Sequence, residues 1–324
     1  MTRIFVTAYV FSEEILRLER AGHAVTVREA NGPIPRDALL TGVDDADALV
    51  CFLTDRIDDE VLARGTSLRI IANVAVGHEN VDLDAARRRS VIVTNTPDVL
   101  TDATADLTMA LLLAAARRIV EGDAAVRCGS FPQWGLRQAL LGLEVSGRTL
   151  GIVGMGRIGT AVARRAALGF GMPILYCSRS RNEAVERELG AVRLPLERLL
   201  EESDIVSLHV PLTEQTRHLI DEAALDRMKP TAILINVSRG PVVEERALVR
   251  ALRTGRIAGA GLDVYEHEPN VTAGLLDATE RVVLTPHVGS ATEETRRAMA
   301  RLAIDNVLAV LRGEPPLTPV ELPT

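Results

Sequence analysis

Three short segments carry side chains able to handle an anion and a proton together. "INVSRGPVV" (235–243) holds Arg239, "GLDVYEHEP" (261–269) holds Asp263 and Glu268, and "LTPHVGSATEE" (284–294) holds His287. Each begins as an apolar, β-branched run and ends in a loop, so these residues stand at or just beyond the carboxyl end of an expected strand. Open α/β sheets bind their ligands at that edge. An arginine there can hold a carboxylate and polarise the neighbouring carbonyl through a forked, permanently charged donor. A histidine can protonate the carbonyl oxygen as a hydride arrives, and recover the proton in the reverse direction. A glutamate bonded to the imidazole would fix its tautomer and favour its protonated form, raising its pKa. Asp263 suits the orientation of a nicotinamide carboxamide better than proton transfer. Singly, each has a plainer explanation: a surface ion pair, a cap, a satisfied core histidine. Their shared edge favours chemistry, and that chemistry is hydride reduction of a 2-keto acid.

The cofactor for such a reaction has its own signal. "GIVGMGRIGTAVARR" (151–165) contains Gly154-x-Gly156-x-x-Gly159 between an expected strand and an expected helix. Gly154 permits the tight turn, Gly156 lets a pyrophosphate approach the backbone, and Gly159 lets helix pack on strand. The helix N-terminus then offers unpaired N–H groups and a positive dipole end. An acid that binds the ribose 2′-hydroxyl is expected roughly 20 residues further on. Cys177 lies 23 residues beyond Gly154 (177 − 154), and Ser178, Arg179, Ser180 and Arg181 follow it. Hydroxyl and guanidinium donors suit a 2′-phosphate, so NADP(H) is preferred over NAD(H); the plain alternative is a solvated basic turn.

Positioning these residues takes two parallel sheets. β-Branched runs alternate with amphipathic stretches in a βαβ rhythm. The first set is "RIFVTAY" (3–9), "HAVTVRE" (23–29), "DALVCFL" (47–53), "RIIANV" (69–74) and "VIVTNT" (91–96). A helix follows over 101–118, with Thr101 or Asp102 as cap and Leu107, Leu111 and Ala114 as its apolar stripe. The second set has six runs, starting near 149, 173, 204, 232, 258 and 282, enough for a doubly wound nucleotide domain. A last helix over 292–311 is too little sequence for another domain and can pack back on the first sheet. Residues 119–148, with the only tryptophan, Trp134, belong cleanly to neither sheet.

Composition removes several function classes. With 324 residues the chain suits two domains, and a net charge of −7 argues against a nucleic-acid-binding face. Cys51, Cys128 and Cys177 are far apart and fit buried, reduced residues of a cytoplasmic protein, with neither a disulfide framework nor a metal site. Lys229 is the only lysine, so Schiff-base chemistry would rest on it alone. The start reads as a strand rather than a signal peptide, and "MALLLAAA" (109–116) is far short of a membrane span. Of the other histidines, His23, His78, His209, His218 and His267, none has a metal-ligand partner at useful spacing.

Six segments make the chain resemble the D-isomer-specific 2-hydroxyacid dehydrogenases over nearly its whole length. These are "NVAVGHENVD" (73–82), "TNTPDVLTDATADLTMALLLAAARR" (94–118), "LGIVGMGRIG" (150–159), "HVPLTEQTRHLI" (209–220), "INVSRGPVVEE" (235–245) and "LTPHVGSATEE". "LYCSRSR" and "CFLTDRID" (51–58) look most like the glyoxylate/hydroxypyruvate reductase branch. The resemblance implies a Rossmann domain, 101–287, inserted in a flavodoxin-like substrate domain, 1–100 and 288–324. It maps the active-site residues onto Arg239, Glu268 and His287, and substrate binding onto the N–H groups of Val76 and Gly77, with Leu53 lining the pocket. It implies cofactor contacts at Thr104, Gly154, Gly156, Arg157, Ile158, Gly159, Ser178, Arg179, Ser180, Val237, Ser238, Asp263 and Gly289. It implies a homodimer joined through 119–148, where Trp134 either approaches the partner's active site or simply packs. His267 departs from the proline many relatives carry there. Another D-2-hydroxy acid, or a nucleotide-sensing binding protein on the same fold, remains the alternative function.

Overall fold

Short parallel strands form from the centres of the apolar runs, where both faces are covered. β1 (Arg3–Val6), β2 (Ala24–Val27), β3 (Ala48–Cys51), β4 (Ile70–Asn73) and β5 (Ile92–Thr94) pair in the order β2-β1-β3-β4-β5. β3 and β4 are buried at every residue, as a parallel strand covered on both faces must be. That order is the flavodoxin-like form of a doubly wound sheet. The computed structural model describes residues 1–30, 32–278 and 281–321. Contacts divide the chain into Met1–Leu100 with Ala291–Thr324, and Thr101–Ser290.

The last helix, Glu293–Leu311, lies on β3 and β4 of the first unit. Its buried Asn306 accepts the N–H of Leu317 and Thr318 at 2.9 and 3.0 Å, and its Nδ2 donates to Thr318 Oγ1 at 2.8 Å. The tail then reaches β5, where Val320 N–H donates to Val93 O at 2.8 Å. A polar residue inside an apolar helix face thus brings the C-terminal chain back to the first sheet.

The second sheet has one strand more than the sequence suggests. β6 (Leu150–Val153), β7 (Ile174–Cys177), β8 (Val192–Arg193), β9 (Ile205–Leu208), β10 (Ile233–Asn236), β11 (Gly259–Leu262) and β12 (Val282–Leu284) are ordered β12-β11-β10-β9-β6-β7-β8. β8 has two exposed residues at the sheet edge, so no hydrophobic alternation announces it. The strand order reverses between β6 and β9, which opens a crevice beyond their carboxyl ends. The unit boundary falls at Ser290 rather than 287, because Val288 and Gly289 are hydrogen-bonded to Asp263.

Helix Thr101–Arg117 packs against Arg157–Phe170. It buries Thr104, Ala105, Thr108, Leu111, Leu112, Ala115 and Ala116, so Leu107 and Ala114 flank the core rather than centre it. Asp102 stands in the first turn and pairs with Arg165 at 3.0 Å. Residues 119–127 add a helix, Ile119–Arg127, without a buried residue; beyond it Phe131, Trp134 and Leu136 are 80%, 85% and 90% exposed. Of the three cysteines expected to be buried only Cys51 is: Cys128 is exposed just past this uncovered helix, and Cys177 is half-buried at the end of β7. Among the described residues no helix is long and apolar enough to cross a membrane, and no His, Cys, Asp or Glu cluster could hold a metal ion.

Candidate active site

β10, β11 and β12 are neighbours, and their carboxyl ends deliver Arg239, Asp263 to Glu268, and His287 to one edge. Asp263 is buried and organises the loop that carries the histidine. Its Oδ1 accepts Thr285 Oγ1 at 2.6 Å and Val288 N–H at 2.8 Å, and its Oδ2 accepts Gly289 N–H at 2.8 Å. Its backbone carbonyl accepts His287 N–H at 2.8 Å. These bonds hold His287 in the left-handed region, with φ 54°, a conformation histidine tolerates better than most side chains. The Asp263 carboxylate is therefore already committed to the chain that presents the imidazole.

His287 and Glu268 are joined at 2.8 Å between Nδ1 and Oε2. With a carboxylate as acceptor, the proton of that bond belongs to Nδ1, which leaves Nε2 free to exchange a proton with a substrate. The other Glu268 oxygen accepts Tyr265 N–H at 3.0 Å. Burial works to raise the Glu268 pKa, but the bond and charge of His287, the Tyr265 N–H and the Arg239 charge outweigh it. The carboxyl therefore sits below its usual range. Tyr265 is pushed up to about 12, first by burial and then by the nearby carboxylates; its neutral hydroxyl donates to Thr285 O at 2.9 Å. Arg239 is fixed from behind: buried Asn236 donates Nδ2 to its carbonyl at 2.9 Å, and accepts Ser238 N–H and Oγ at 3.0 and 2.8 Å.

The crevice between β6 and β9 fits a dinucleotide. Gly154 has φ +100°, and a Cβ there would lie 2.5 Å from His209 O. A Cβ on Gly156 would meet no protein atom, so the space beside it is open to a ligand. Helix Arg157–Phe170 starts without a side-chain cap or an acid in its first turn, whereas Asp58, Asp82, Asn182, Asp221 and Thr292 cap other helices. Its first-turn N–H groups, beginning at Arg157 and Ile158, are ready for an anion. Thr104, Val237, Ser238 and Asp263 are buried, and Gly289 lies beside Thr104 and Asp263.

After β7 the basic turn resolves into different roles. Arg181 pairs with Glu186 at 2.7 Å, while Arg179 is exposed and has no ion-pair partner among the described residues. Ser178 and Ser180 flank Arg179. Arg193 of β8 donates to the carbonyls of Ser178 and Arg179 at 2.8 and 3.0 Å and fixes their backbone. Asn182 caps the next helix and donates Nδ2 to Met155 O at 3.3 Å, tying this turn to the glycine loop.

His209 directly follows β9, with its carbonyl against Gly154. Its Nε2 bonds Ser207 Oγ at 2.8 Å, and its Nδ1 is buried without a partner. Burial lowers its pKa to about 3, so the folded protein keeps it neutral while the unfolded chain protonates it near 6.5. The unfolded state thus binds the extra proton, and stability falls as pH drops from about 6.5 towards 3, by at most roughly 1.4 kcal/mol per pH unit. The expected result is that His209→Asn loses less stability than the parent between pH 6.5 and 4, read from urea midpoints at each pH.

The residues expected to bind substrate lie in the first unit. Exposed Leu53 follows β3, and Val76 and Gly77 follow β4. Asn95 donates Nδ2 to Val76 O at 2.8 Å, and buried Asn73 donates Nδ2 to Gly77 O at 2.9 Å. Asn80 Nδ2 reaches Phe52 O and Asp55 O at 3.0 Å, joining the loop of Leu53 to that of Val76. Thr96 N–H donates to Ala75 O at 2.8 Å, so with the carbonyls of Ala75 and Val76 held, the peptide planes that bear the Val76 and Gly77 N–H groups are fixed. Sequence reading missed these amide pegs, as it missed Asn236, Asn182 and Arg193; each is a polar residue near a strand end, a signal too common to single them out.

Residues 109–289 match the family model described as "D-isomer specific 2-hydroxyacid dehydrogenase, NAD binding domain". A glyoxylate reductase of Pyrococcus furiosus is 52% identical over 319 residues, covering 98% of this chain and 94% of its own. A solved structure from Thermus thermophilus superposes with a TM-score of 0.92 at 47% identity, covering 99% of this chain and 100% of its own. An NADPH-dependent glyoxylate/hydroxypyruvate reductase from Sinorhizobium meliloti, solved with NADP and malonate, gives a TM-score of 0.83 at 36% identity, covering 98% and 96%.

Proposed function

The chain belongs to the D-isomer specific 2-hydroxyacid dehydrogenase family, and from that premise we propose that it reduces glyoxylate, hydroxypyruvate or both with NADPH, giving glycolate or D-glycerate. It is an oxidoreductase of small 2-keto acids that uses a nicotinamide dinucleotide. The observation that carries the site reading is the 2.8 Å bond from His287 Nδ1 to Glu268, at the same sheet edge as Arg239. A bound NADPH would supply the hydride for the carbonyl carbon. His287 enters as the imidazolium, paired with Glu268 through Nδ1, gives its Nε2 proton to the carbonyl oxygen and is left as neutral imidazole, while Arg239 stabilises charge growing on that oxygen. The N–H groups of Val76 and Gly77 bind the substrate carboxylate, and Leu53 sets pocket shape.

Gly154, Gly156 and Gly159 would admit a pyrophosphate over the N–H groups of Arg157 and Ile158. Thr104, Val237, Ser238 and Gly289 would border the nicotinamide, and Asp263 would help align its carboxamide through the loop it organises. Exposed Arg179, flanked by Ser178 and Ser180 on a backbone held by Arg193, favours the 2′-phosphate. The same reading places the enzyme in the cytoplasm, with its cysteines free, as a homodimer joined through 119–148. The apolar exposure of Phe131, Trp134 and Leu136 supports that interface.

Initial rates of glyoxylate and hydroxypyruvate reduction with NADPH and NADH, measured side by side, test the proposal. The expected result is turnover with at least one acid and a clear NADPH preference. Equal or better use of NADH removes the 2′-phosphate reading. No turnover with either acid, alongside tight NADPH binding, returns the sensing alternative.

A further inference from the structure

Arg239 and Glu268 lie on different loops, and one histidine outside both touches each of them. Segment 218–220 runs parallel to 241–244. His218 N–H donates to Pro241 O at 2.8 Å, Ile220 N–H to Val242 O at 3.1 Å, and Glu244 N–H to Ile220 O at 3.0 Å. This small ladder grips the 3-10 turn Gly240–Val242 that directly follows Arg239. From the same residue, Nε2–H donates to Glu266 Oε1 at 2.7 Å, two residues before Glu268. Burial's upward pull on the Glu266 pKa is outweighed by the bond and charge of His218, the Glu245 N–H and the His267 charge, which hold the carboxyl below its usual range.

The Glu266 loop is clasped from its other side by helix Glu245–Arg253. Glu266 N–H donates to Glu245 Oε1 at 2.7 Å, Glu245 N–H returns to Glu266 Oε2 at 3.3 Å, and Thr272 Oγ1 closes the loop on Glu245. Gly240 sits so near the Tyr265 carbonyl that a Cβ would overlap it. The two loops therefore touch backbone to backbone, and only a fixed separation satisfies both. His218 holds φ 52°, which aims its N–H at one loop and its imidazole at the other.

We propose that His218 is a positioning residue that sets the spacing between Arg239 and the Glu268–His287 pair through Pro241 and Glu266. The inference rests on reading Arg239, Glu268 and His287 as the reacting set. It predicts a kinetic signature different from that of a scaffold. Loosening the bridge lets Glu268 and Arg239 drift, and a misplacement of about 1 Å can cost on the order of 100-fold in rate. The glycine crevice is untouched, so dinucleotide affinity stays.

Two substitutions separate position from backbone strain. Asn tolerates the left-handed region well but is too short to reach Glu266; Gln reaches Glu266 but fits that region less well. Strain therefore runs opposite to the expected activity. His218→Asn is expected to lower kcat/KM for glyoxylate about 10–100-fold and to displace its pH profile. NADPH affinity, read by fluorescence titration, should stay within about twofold. His218→Gln should restore kcat/KM to within about threefold of the parent. Normal kcat/KM and pH profile in His218→Asn overturn the inference, as does an equal loss in both variants with an unmoved pH profile. His287→Asn is run beside them. If that variant keeps full turnover, the assignment of the reacting set fails; if it is inactive while His218→Asn is normal, only the bridge fails.

Discussion

Replacing His287 with alanine should lower kcat for glyoxylate reduction about 10²–10⁴-fold, the usual contribution of a positioned proton donor, while Kd for NADPH changes less than about threefold. The loss should fall on kcat because the proposed proton donor, Nε2, acts only as charge develops on the substrate oxygen, whereas the glycine loop proposed to bind nucleotide follows β6. Alanine alone leaves an ambiguity, since residue 287 has φ 54° and an ordinary side chain is strained there by roughly 1–2 kcal/mol. Asparagine removes the proton donor but accepts the left-handed backbone. If both variants lose kcat to a similar extent, proton donation is the cause. If asparagine works nearly as well as histidine, the turn mattered and the imidazole did not. Steady-state kinetics with glyoxylate, together with NADPH fluorescence titration of both variants, make the comparison.

That Arg239, Glu268 and His287 reach one sheet edge was legible because three different strands announce themselves by apolar runs and each ends in a residue with chemistry. β10, β11 and β12 are buried at nearly every position, and the same burial makes them continuous in sequence. What holds those residues in place was not legible. Asn236 reads as one more polar residue after "ILI", yet its amide fixes both Arg239 and Ser238. Asp263 was singled out for a cofactor contact, while the structure spends its carboxylate on Thr285, Val288 and Gly289. Spacing identifies groups that reach an edge; it does not say which of them turn inward.

The elements missed share a physical reason. β8 and helix Ile119–Arg127 bury almost nothing, and hydrophobic periodicity reports only surfaces that a core will cover. His218 is harder still, because its role depends on two loops, at 241 and 266, that meet only in three dimensions. In the first unit the same holds for Asn73, Asn80 and Asn95, whose amides pin the loops of Leu53, Val76 and Gly77. The domain insertion was inferable from a C-terminal helix with no sheet of its own. Asn306 and Val320 supply the bonds that bring it home.

Arg179→Ala should raise KM for NADPH about 10–100-fold and leave KM for NADH within about threefold. A hydrogen bond to a charged group is worth roughly 1.5–3 kcal/mol, and only NADPH carries the 2′-phosphate that would receive it. The neighbouring arginine is the control. Arg181 is paired with Glu186, which also accepts Tyr176 OH at 2.6 Å, so Arg181→Ala should change KM for NADPH less than about threefold. Adding Ser178→Asp to Arg179→Ala should reverse the preference, since a carboxylate there accepts the ribose 2′-hydroxyl and repels a phosphate. An exposed guanidinium is screened by salt, so the NADPH advantage of the parent should also shrink as ionic strength rises. Were Arg181→Ala as damaging as Arg179→Ala, the Glu186 pair would have to open on binding, and the turn would read phosphate with both arginines. Were neither to matter while NADPH stayed preferred, discrimination would pass to the hydroxyls of Ser178 and Ser180, whose backbone Arg193 holds from behind.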